Sequence, residues 1–446
     1  MRLFPAAAIL VATAPLTSAA PALAAQVTDV ADALDGDNPF DANLELKFDV
    51  QRHSGLITRE NFQPPTGDAD PKDARTTNVK EMQFEDVRFR IRPRLEIGVW
   101  HDLSVFAEWP IVIWDQQDFR YADGTTSSNS TFARDEAPNA SPPIDSWSDA
   151  NDVQITQGAG NTKPQNQVVN GKGAFGFPAK PYNAWRFNTA DNGKFTGYRQ
   201  GFDNPTFGVR WSPLNNERDD TKPTITLQAD YTPPFFQFMD PTNDKIDDAS
   251  SPGPVADGAH RFHFSVAMSK RFLILDPYFV IDYNLPLAAS GDGSVLGYYP
   301  RQSGGFTAGG EIVPYEDKKL QQKFAIDINA FATYFSQGQD YSEVSDVLEE
   351  QTYTDQFVRA GVNAGIFFKA FQYFFFDVNG TAAYDTSHLL TIQPFGQDKD
   401  GDTKINLQLP NERNPFYNPA LDTVGRRVRI EQSVILGVLV HAGITF

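Results

Sequence analysis

Residues 425–446 read GRRVRIEQSVILGVLVHAGITF and carry the most regular pattern of the chain. From Phe446 back to Val434 every second residue is apolar, and the residues between them become polar towards Arg429. Alternation with a period of two is typical of a β-strand whose two faces meet different surroundings. The stretch therefore predicts a long closing strand, with one apolar and one mixed face, that ends on an aromatic residue.

The same alternation recurs in eleven further segments, and the connections between successive segments are alternately long and short. A soluble sandwich also contains alternating strands. The regular exchange of long and short connections is instead typical of a transmembrane barrel with short periplasmic turns and long extracellular loops. We therefore predict an all-β, antiparallel, up-and-down transmembrane β-barrel of 12 strands over residues 42–446. The eleven other predicted strands are 42–53, 82–100, 103–114, 204–214, 222–235, 259–272, 275–287, 304–315, 322–336, 356–370 and 372–386.

The residues before the predicted barrel divide into two parts. Residues 1–24 hold an early arginine, an apolar core and a small-x-small site, which predict a secretory signal peptide cleaved after Ala24 or, as the second choice, after Ala25. Residues 25–41 are acidic, and we expect a short helix or a periplasmic extension. The longest strongly apolar run, near 434–440, is too short for a transmembrane helix, which needs about 20 residues.

Composition narrows the possible functions. The absence of cysteine excludes disulfides, thiolate metal sites and a cysteine nucleophile. The aromatic content of 13%, with 36 Phe and 15 Tyr, is typical of the girdles at membrane interfaces. A net charge of −19 excludes a basic nucleic-acid-binding surface. The acidic excess lies mostly in predicted loops, which are either simply solvated or bridge divalent cations at a lipopolysaccharide surface.

Three segments resemble known outer-membrane proteins. RPRLEIGVWHDLSVFAEWPIV at 92–112 is similar to a strand–turn–strand of the transporters of the phenol meta-degradation type, and GFDNPTFGVRWSP at 201–213 resembles the Gly-x-Asp strand opener of that group. The terminal Phe446 resembles the C-terminal signal of Gram-negative outer-membrane barrels, which their barrel-assembly machinery reads. The resemblance implies a Gram-negative outer-membrane location, with outer-membrane lipid, lipopolysaccharide and the assembly machinery as partners. It also implies a passive channel for small compounds, without naming a substrate.

Charged side chains on the inner face form the candidate site. Four arginines alternate along the second predicted strand, and a dry core cannot hold four unpaired guanidinium groups. Two interpretations stay open: a lumen cross-linked by ion pairs, or an arginine ladder that faces an acidic wall across a water-filled pore and orients small solutes. The predicted lumen and selectivity residues are Arg88, Arg90, Arg92, Arg94, Glu45, Asp49, Glu108, Arg429, Glu431, Asp282, Glu311, Asp327 and Asp377.

Two loops are further candidates. The long connection 115–201 either folds into the lumen through its aromatic side chains or moves at the surface. Residues 398–406 resemble a truncated calcium loop, in which Asp398, Asp400 and Asp402 are weak candidate ligands, or they form an acidic hairpin tip. No sequence pattern calls for a cofactor.

The sequence contains no Gly-x-Ser-x-Gly or His-Glu-x-x-His motif, so we predict that the protein is not an enzyme. An acid–base site at the outer rim, built from His260, His263 and Asp248, is a third alternative. The main prediction is an outer-membrane channel or transporter for passive diffusion of small solutes through a charged lumen. The alternative is a plugged structural or surface-interaction barrel whose long acidic loops bind a partner.

Overall fold

The chain forms a barrel from strands that alternate in direction. The computed structural model describes residues 25–33, 41–63, 75–132, 186, 193–216, 218–219, 221–289, 300–317, 319–371, 373–394, 396, 398–399, 401, 412, 414, 416–418 and 421–446. The predicted signal peptide, residues 1–24, lies outside this described part. In chain order the elements are β1 (Ala42–Gln63), β2 (Arg75–Trp100), β3 (Leu103–Glu108), β4 (Ile111–Tyr121), β5 (Lys194–Phe202), β6 (Thr206–Leu214), β7 (Thr224–Thr232), β8 (Ala259–Ser269), β9 (Leu275–Ala288), β10 (Ser303–Asp317), β11 (Gln322–Phe335), β12 (Gly338–Asp340), α1 (Ser345–Leu348), β13 (Thr352–Thr354), β14 (Phe357–Ala370), β15 (Phe374–Asp385), β16 (His388–Leu389) and β17 (Val428–Thr445).

Successive strands pair antiparallel around the whole barrel, and β17 closes it against β1. The closing register runs from Asn43 opposite Thr445 to Arg59 opposite Val428. Because β3 with β4 forms one interrupted barrel strand and β5 with β6 forms another, the barrel has 12 strands. The predicted closed, antiparallel, 12-stranded barrel is confirmed. The small hairpin of β12 and β13 lies apart from the barrel sheet, in the connection between β11 and β14.

The two ends of the barrel differ as predicted. Short turns join β2 to β3, β6 to β7, β8 to β9, β10 to β11 and β14 to β15, and this end is called the turn end below. Long connections meet at the opposite end, the loop end. The terminal residue lies at the turn end, where the N–H of Phe446 donates to the carbonyl of Ala42 at 2.9 Å. Among the described residues, no helix is long and apolar enough to cross a membrane.

Four strands extend further at the loop end than the sequence predicts. β1 continues to Gln63, β2 begins at Arg75, β4 continues to Tyr121, and β5 begins at Lys194. The connection predicted at 115–201 is therefore shorter and spans 122–193. The physical reason is a reversal of polarity. Over most of the barrel the apolar residues face outward, whereas at the loop end Phe84, Phe119 and Phe195 face inward and are buried.

Candidate functional site

The arginines of β2 project into the lumen, and each pairs with a nearby carboxylate. Arg90 Nε donates to Asp49 Oδ1 at 2.9 Å, and Arg92 Nε donates to Asp49 Oδ2 at 3.1 Å. Arg92 also reaches Glu108 Oε1 at 3.5 Å. These contacts follow from the register, since Asp49 stands directly opposite Arg90 on the neighbouring strand. The central part of the ladder is thus a cross-strand network of ion pairs.

The two outer arginines continue the network in both directions. Towards the loop end, Arg88 Nη2 lies 2.8 Å from Asp115 Oδ2. Towards the turn end, Arg94 Nη2 lies 2.5 Å from Glu96 Oε2 and Arg94 Nε lies 3.8 Å from Glu45 Oε2. The four arginine side chains remain between 12% and 34% exposed. The ladder is therefore ion-paired along the wall, and its role in orienting solutes stays a prediction.

A second, mainly acidic group lies on β9, β10, β11 and β15. Glu311 Oε2 accepts from Lys323 Nζ at 2.8 Å, and Asp327 Oδ1 accepts from the Tyr278 hydroxyl at 2.8 Å. Asp377 Oδ2 lies 2.6 Å from His441 Nδ1. Asp282 also faces the lumen, because its neighbour Ile281 is 54% exposed on the outer face. Their role in selectivity stays a prediction.

Arg429 and Glu431 do not line the lumen, so that prediction is wrong. Both side chains lie on the outer face, where Arg429 Nη1 donates to Ser387 Oγ at 3.5 Å and Glu431 Oε1 accepts from Asn78 at 3.4 Å. The cause is a β-bulge at Gln432, whose φ of 52° lies in the left-handed region. An extra residue reverses the alternation, so Ile430 and not its charged neighbours points inward and is fully buried.

Residues 25–33 close the turn end of the lumen from inside. The N–H of Gln26 donates to Glu311 Oε1 at 2.6 Å, and Gln26 Nε2 donates to Asp377 Oδ2 at 3.1 Å. Thr28 shares a 2.7 Å hydrogen bond with Ser269 Oγ, and its carbonyl accepts from Thr226. Of the predicted extension 25–41, the described part 25–33 forms a single 3-10 turn at Gln26–Thr28 and lies inside the barrel, and residues 34–40 lie outside the described residues.

A cavity of about 540 Å³ lies beside this N-terminal segment and reaches Arg94, the ladder arginine nearest the turn end. It is lined mainly by charged and polar side chains from both sides of the lumen. Its charged lining residues are Asp29, Asp41, Glu45, Lys47, Arg94, Glu96, Arg210, Glu311, Asp327, Lys369, Asp377 and His441. Such a lining can orient a small polar or charged solute by several weak interactions, without the chemistry of a catalytic site.

An apolar cluster occupies the loop end of the lumen. It joins inward residues of the barrel wall to residues of four long connections that fold back over the opening. Its members are Ile57, Met82, Phe84, Phe119, Phe132, Phe195, Ile246, Val344, Val347, Leu348, Leu390, Leu421, Val428 and Ile430, with Tyr121 packed against them. Burial of this apolar surface holds the connections against the wall.

Arg199 links the connections of this cluster to the barrel wall through hydrogen-bonded ion pairs. Arg199, on β5, donates from Nε and Nη2 to both carboxylate oxygens of Asp346 at 3.0 and 2.6 Å. Its Nη1 donates to Asp244 Oδ2 at 2.9 Å. Arg199, Asp346 and the hydroxyl of Tyr341 also contact one another. Because Asp346 is fully buried, the bidentate pair fixes α1 to the wall.

Two titratable groups of the connections lie beneath the cluster. Burial alone would raise the pKa of the Glu343 carboxyl, but His53, His388 and Arg301 together hold it below its ordinary value. Burial lowers the pKa of His388, against the opposing field of Glu343.

The remaining candidates do not assemble into a site. His260 stacks on Tyr231, whereas His263 Nδ1 lies 2.8 Å from Asp230 on the inner side, so the two histidines face opposite sides of the wall. Asp248 bonds to Ser250 within its own loop. Of the weak calcium candidates, Asp400 and Asp402 lie outside the described residues. Within the part of the chain that the structure describes, no group of three or more His, Asp or Glu side chains could hold a metal ion.

Several lumen residues were absent from the sequence prediction. Lys47 and His441 share the inward alternation of their strands, so the same pattern would have included them. Arg199 lies in a segment that the sequence assigned to a loop. Nothing in the composition of residues 25–33 indicates that they enter the lumen, because their contacts are single hydrogen bonds to distant strands.

Comparisons with known proteins found similarity in solved structures. No protein-family model matches the chain, and no curated protein sequence matches it. The COG4313 outer membrane channel from Pseudomonas putida F1 is 10% identical, with a TM-score of 0.38 over 93% of this chain and 100% of that one. A Pseudomonas aeruginosa FadL homologue is 9% identical, with a TM-score of 0.31 over 91% and 90%. The outer membrane protease OmpT from Escherichia coli is 8% identical, with a TM-score of 0.27 over 91% and 97%.

Proposed function

We propose that the protein is an outer-membrane channel through which small solutes diffuse along a charged lumen. The outer wall supports the membrane location, because Leu46, Ile366 and Val438 are each about half exposed although they are apolar. A continuous apolar band of this kind is stable in lipid and costly in water. The turn end then faces the periplasm, and Phe446 is the residue offered to the barrel-assembly machinery.

The observation that carries the channel function is the 540 Å³ charged cavity beside the N-terminal segment. A barrel that served only as a scaffold would gain stability by filling this space with apolar side chains. Residues 26–28 are held mainly by side-chain hydrogen bonds to the wall and not by pairing with a barrel strand, so displacing them leaves the barrel sheet intact. We infer that conduction requires this displacement.

The experiment compares single-channel conductance in planar bilayers for the mature protein and for a variant with Thr28→Cys and Ser269→Cys. The two hydroxyl oxygens lie 2.7 Å apart, and the chain has no other cysteine that could compete. The unmodified channel should open in discrete steps. The oxidised variant should stay closed, and reduction should restore the steps. Equal conductance in the oxidised and reduced variant would show that residues 25–33 do not gate the channel.

A second function is favoured by the apolar cluster at the loop end. If that cluster seals the barrel permanently, the lumen is structural and the acidic connections bind a partner. Deleting residues 25–33 distinguishes the two functions, because the turn end then opens. A conducting variant supports the channel. A variant that remains silent at every voltage supports the sealed barrel.

A further inference from the structure

The outer wall at the loop end carries three rows of side chains above an aromatic pair. The ring centroids of Trp114 and Tyr198 lie 5.3 Å apart on the outer face. Trp and Tyr are the residues typically found at the interface between membrane and water. Beyond them, β2, β4 and β5 present neighbouring residues at each level of the register. The rows are Val87, Gln116 and Tyr198; then Glu85, Asp118 and Thr196; then Gln83, Arg120 and Lys194.

The third row places like charges side by side. Arg120 and Lys194 stand directly opposite each other on β4 and β5, and both are exposed. Lys80, on β2, lines the same concavity. Like charges at directly opposed positions destabilise a sheet unless an anion lies between them. Among the described residues, none of these three cations forms an ion pair, and Arg120 Nε donates only to the neutral Gln83 at 2.8 Å.

The second row already has its partners. Glu85 Oε1 accepts from Arg52 Nε at 2.8 Å. Asp118 accepts from Gln116 Nε2 and from Thr196 Oγ1, each at 2.7 Å. The two carboxylates of the second row therefore already accept hydrogen bonds from Arg52, Gln116 and Thr196. The cations of the third row remain available to a ligand from outside.

All residues of the three rows except Val87 line one concavity of about 780 Å³ on the outside of the barrel. It begins at Tyr198, a member of the aromatic pair, and ends at Lys80, Arg120 and Lys194, where Asp123 is the one carboxylate beside the three cations. Six residues of β4 separate Trp114 from Arg120, which corresponds to roughly 20 Å along the strand. A ligand that fills the concavity thus extends from the membrane interface to a cluster of positive charge.

The geometry points to an anionic glycolipid headgroup, of the lipopolysaccharide class, as the occupant. Its acyl chains would lie beside the aromatic pair, and its phosphate or carboxylate groups would contact the three cations. Free phosphate would neutralise the three cations, but it would leave the end of the concavity near Tyr198 empty. This inference rests on the proposed outer-membrane location, since lipopolysaccharide lies in the outer leaflet around the loop end.

Binding of fluorescently labelled deep-rough lipopolysaccharide to the purified mature protein, in a neutral detergent, tests the inference. The double variant Arg120→Ala with Lys194→Ala should bind about 10-fold more weakly or worse. The control, Lys222→Ala with Lys319→Ala, removes two exposed cations at the turn end and should bind like the unmodified protein. The conservative variant Arg120→Lys with Lys194→Arg should retain binding, which shows that the site tolerates substitution and depends on charge.

Equal binding by the double variant and its control would overturn the inference. Displacement of the glycolipid by inorganic phosphate at similar concentration would also overturn it, because the acyl and sugar parts would then contribute nothing. Conductance is measured on the same preparations. If the unmodified protein is silent but the double variant loses glycolipid, the proposed channel function fails and the glycolipid site stands.

Discussion

The backbone N–H of Gln26 and the carboxylate of Glu311 form a 2.6 Å hydrogen bond that ties the N-terminal segment to the opposite lumen wall. The second oxygen of Glu311 accepts from Lys323 Nζ at 2.8 Å. Both charged side chains are almost fully buried. A single carboxylate therefore stabilises the wall and also holds the segment that closes the turn end.

Glu311→Gln should destabilise the barrel by about 3 kcal/mol, because it leaves the buried Lys323 ammonium without its counter-charge. The free energy of unfolding, measured by urea titration in liposomes, tests this. The double variant Glu311→Gln with Lys323→Met should recover most of the loss, since no isolated charge remains. Gln26→Ala, which keeps the backbone hydrogen bond, should cost less than about 1 kcal/mol. A double variant as unstable as the single one would contradict the ion-pair explanation.

Arg92→Ala should raise the cation-to-anion permeability ratio of the channel by about two- to fivefold. The substitution removes positive charge from the lumen wall, and it leaves Asp49 and Glu108 less neutralised. Reversal potentials in asymmetric KCl measure the shift. Arg429→Ala is the matched control, since it removes the same charge from the outer face. Equal shifts of the reversal potential in the two variants would mean that ions do not pass the arginines of β2.

The contrast between these two arginines also shows how far the sequence could predict the site. Alternation placed Arg92 correctly because β2 is regular beside Asp49. The same reasoning failed at Arg429, because the bulge at Gln432 leaves no mark in the polarity of the residues around it. The loop-end extension was missed for a related reason, since Phe119 turns inward there, whereas the apolar residues of most of the wall face outward. The position of residues 25–33 depends on tertiary contacts that no local pattern encodes.

Gln432→Gly should stabilise the barrel by about 0.5–1 kcal/mol, because a φ of 52° is strained for a residue with a side chain and free for glycine. Gln432→Val should destabilise it by about 1–2 kcal/mol, since a β-branched residue resists this conformation more strongly. Urea unfolding compares the two. If both variants lose stability equally, the Gln432 side chain and not its backbone sets the bulge.

Acidification should loosen the loop end through His388. Burial depresses the pKa of this histidine in the folded protein, whereas the unfolded chain takes up a proton near pH 6.5. The unfolded state therefore binds more protons below this pH, and stability falls from about pH 6.5 towards the folded pKa by at most about 1.4 kcal/mol per pH unit. His388→Gln should reduce the pH dependence of the free energy of unfolding between about pH 7 and 5. His101→Gln, at an exposed turn, should keep the slope of the unmodified protein.

Arg199→Met should release α1 and the adjoining connection from the barrel wall. The substitution leaves Asp346 buried without its bidentate partner, at an expected cost of about 3–5 kcal/mol. Arg52→Met is the matched control, because Arg52 forms an exposed ion pair with Glu85, and such pairs contribute at most about 1 kcal/mol. Limited proteolysis within residues 336–356 reports the release, and bilayer recordings of the same variants show its effect on conduction. If Arg199→Met is cleaved faster but conducts no more than Arg52→Met, the apolar cluster alone closes the loop end. If conductance rises together with cleavage, Arg199 and Asp346 hold the second gate of the channel.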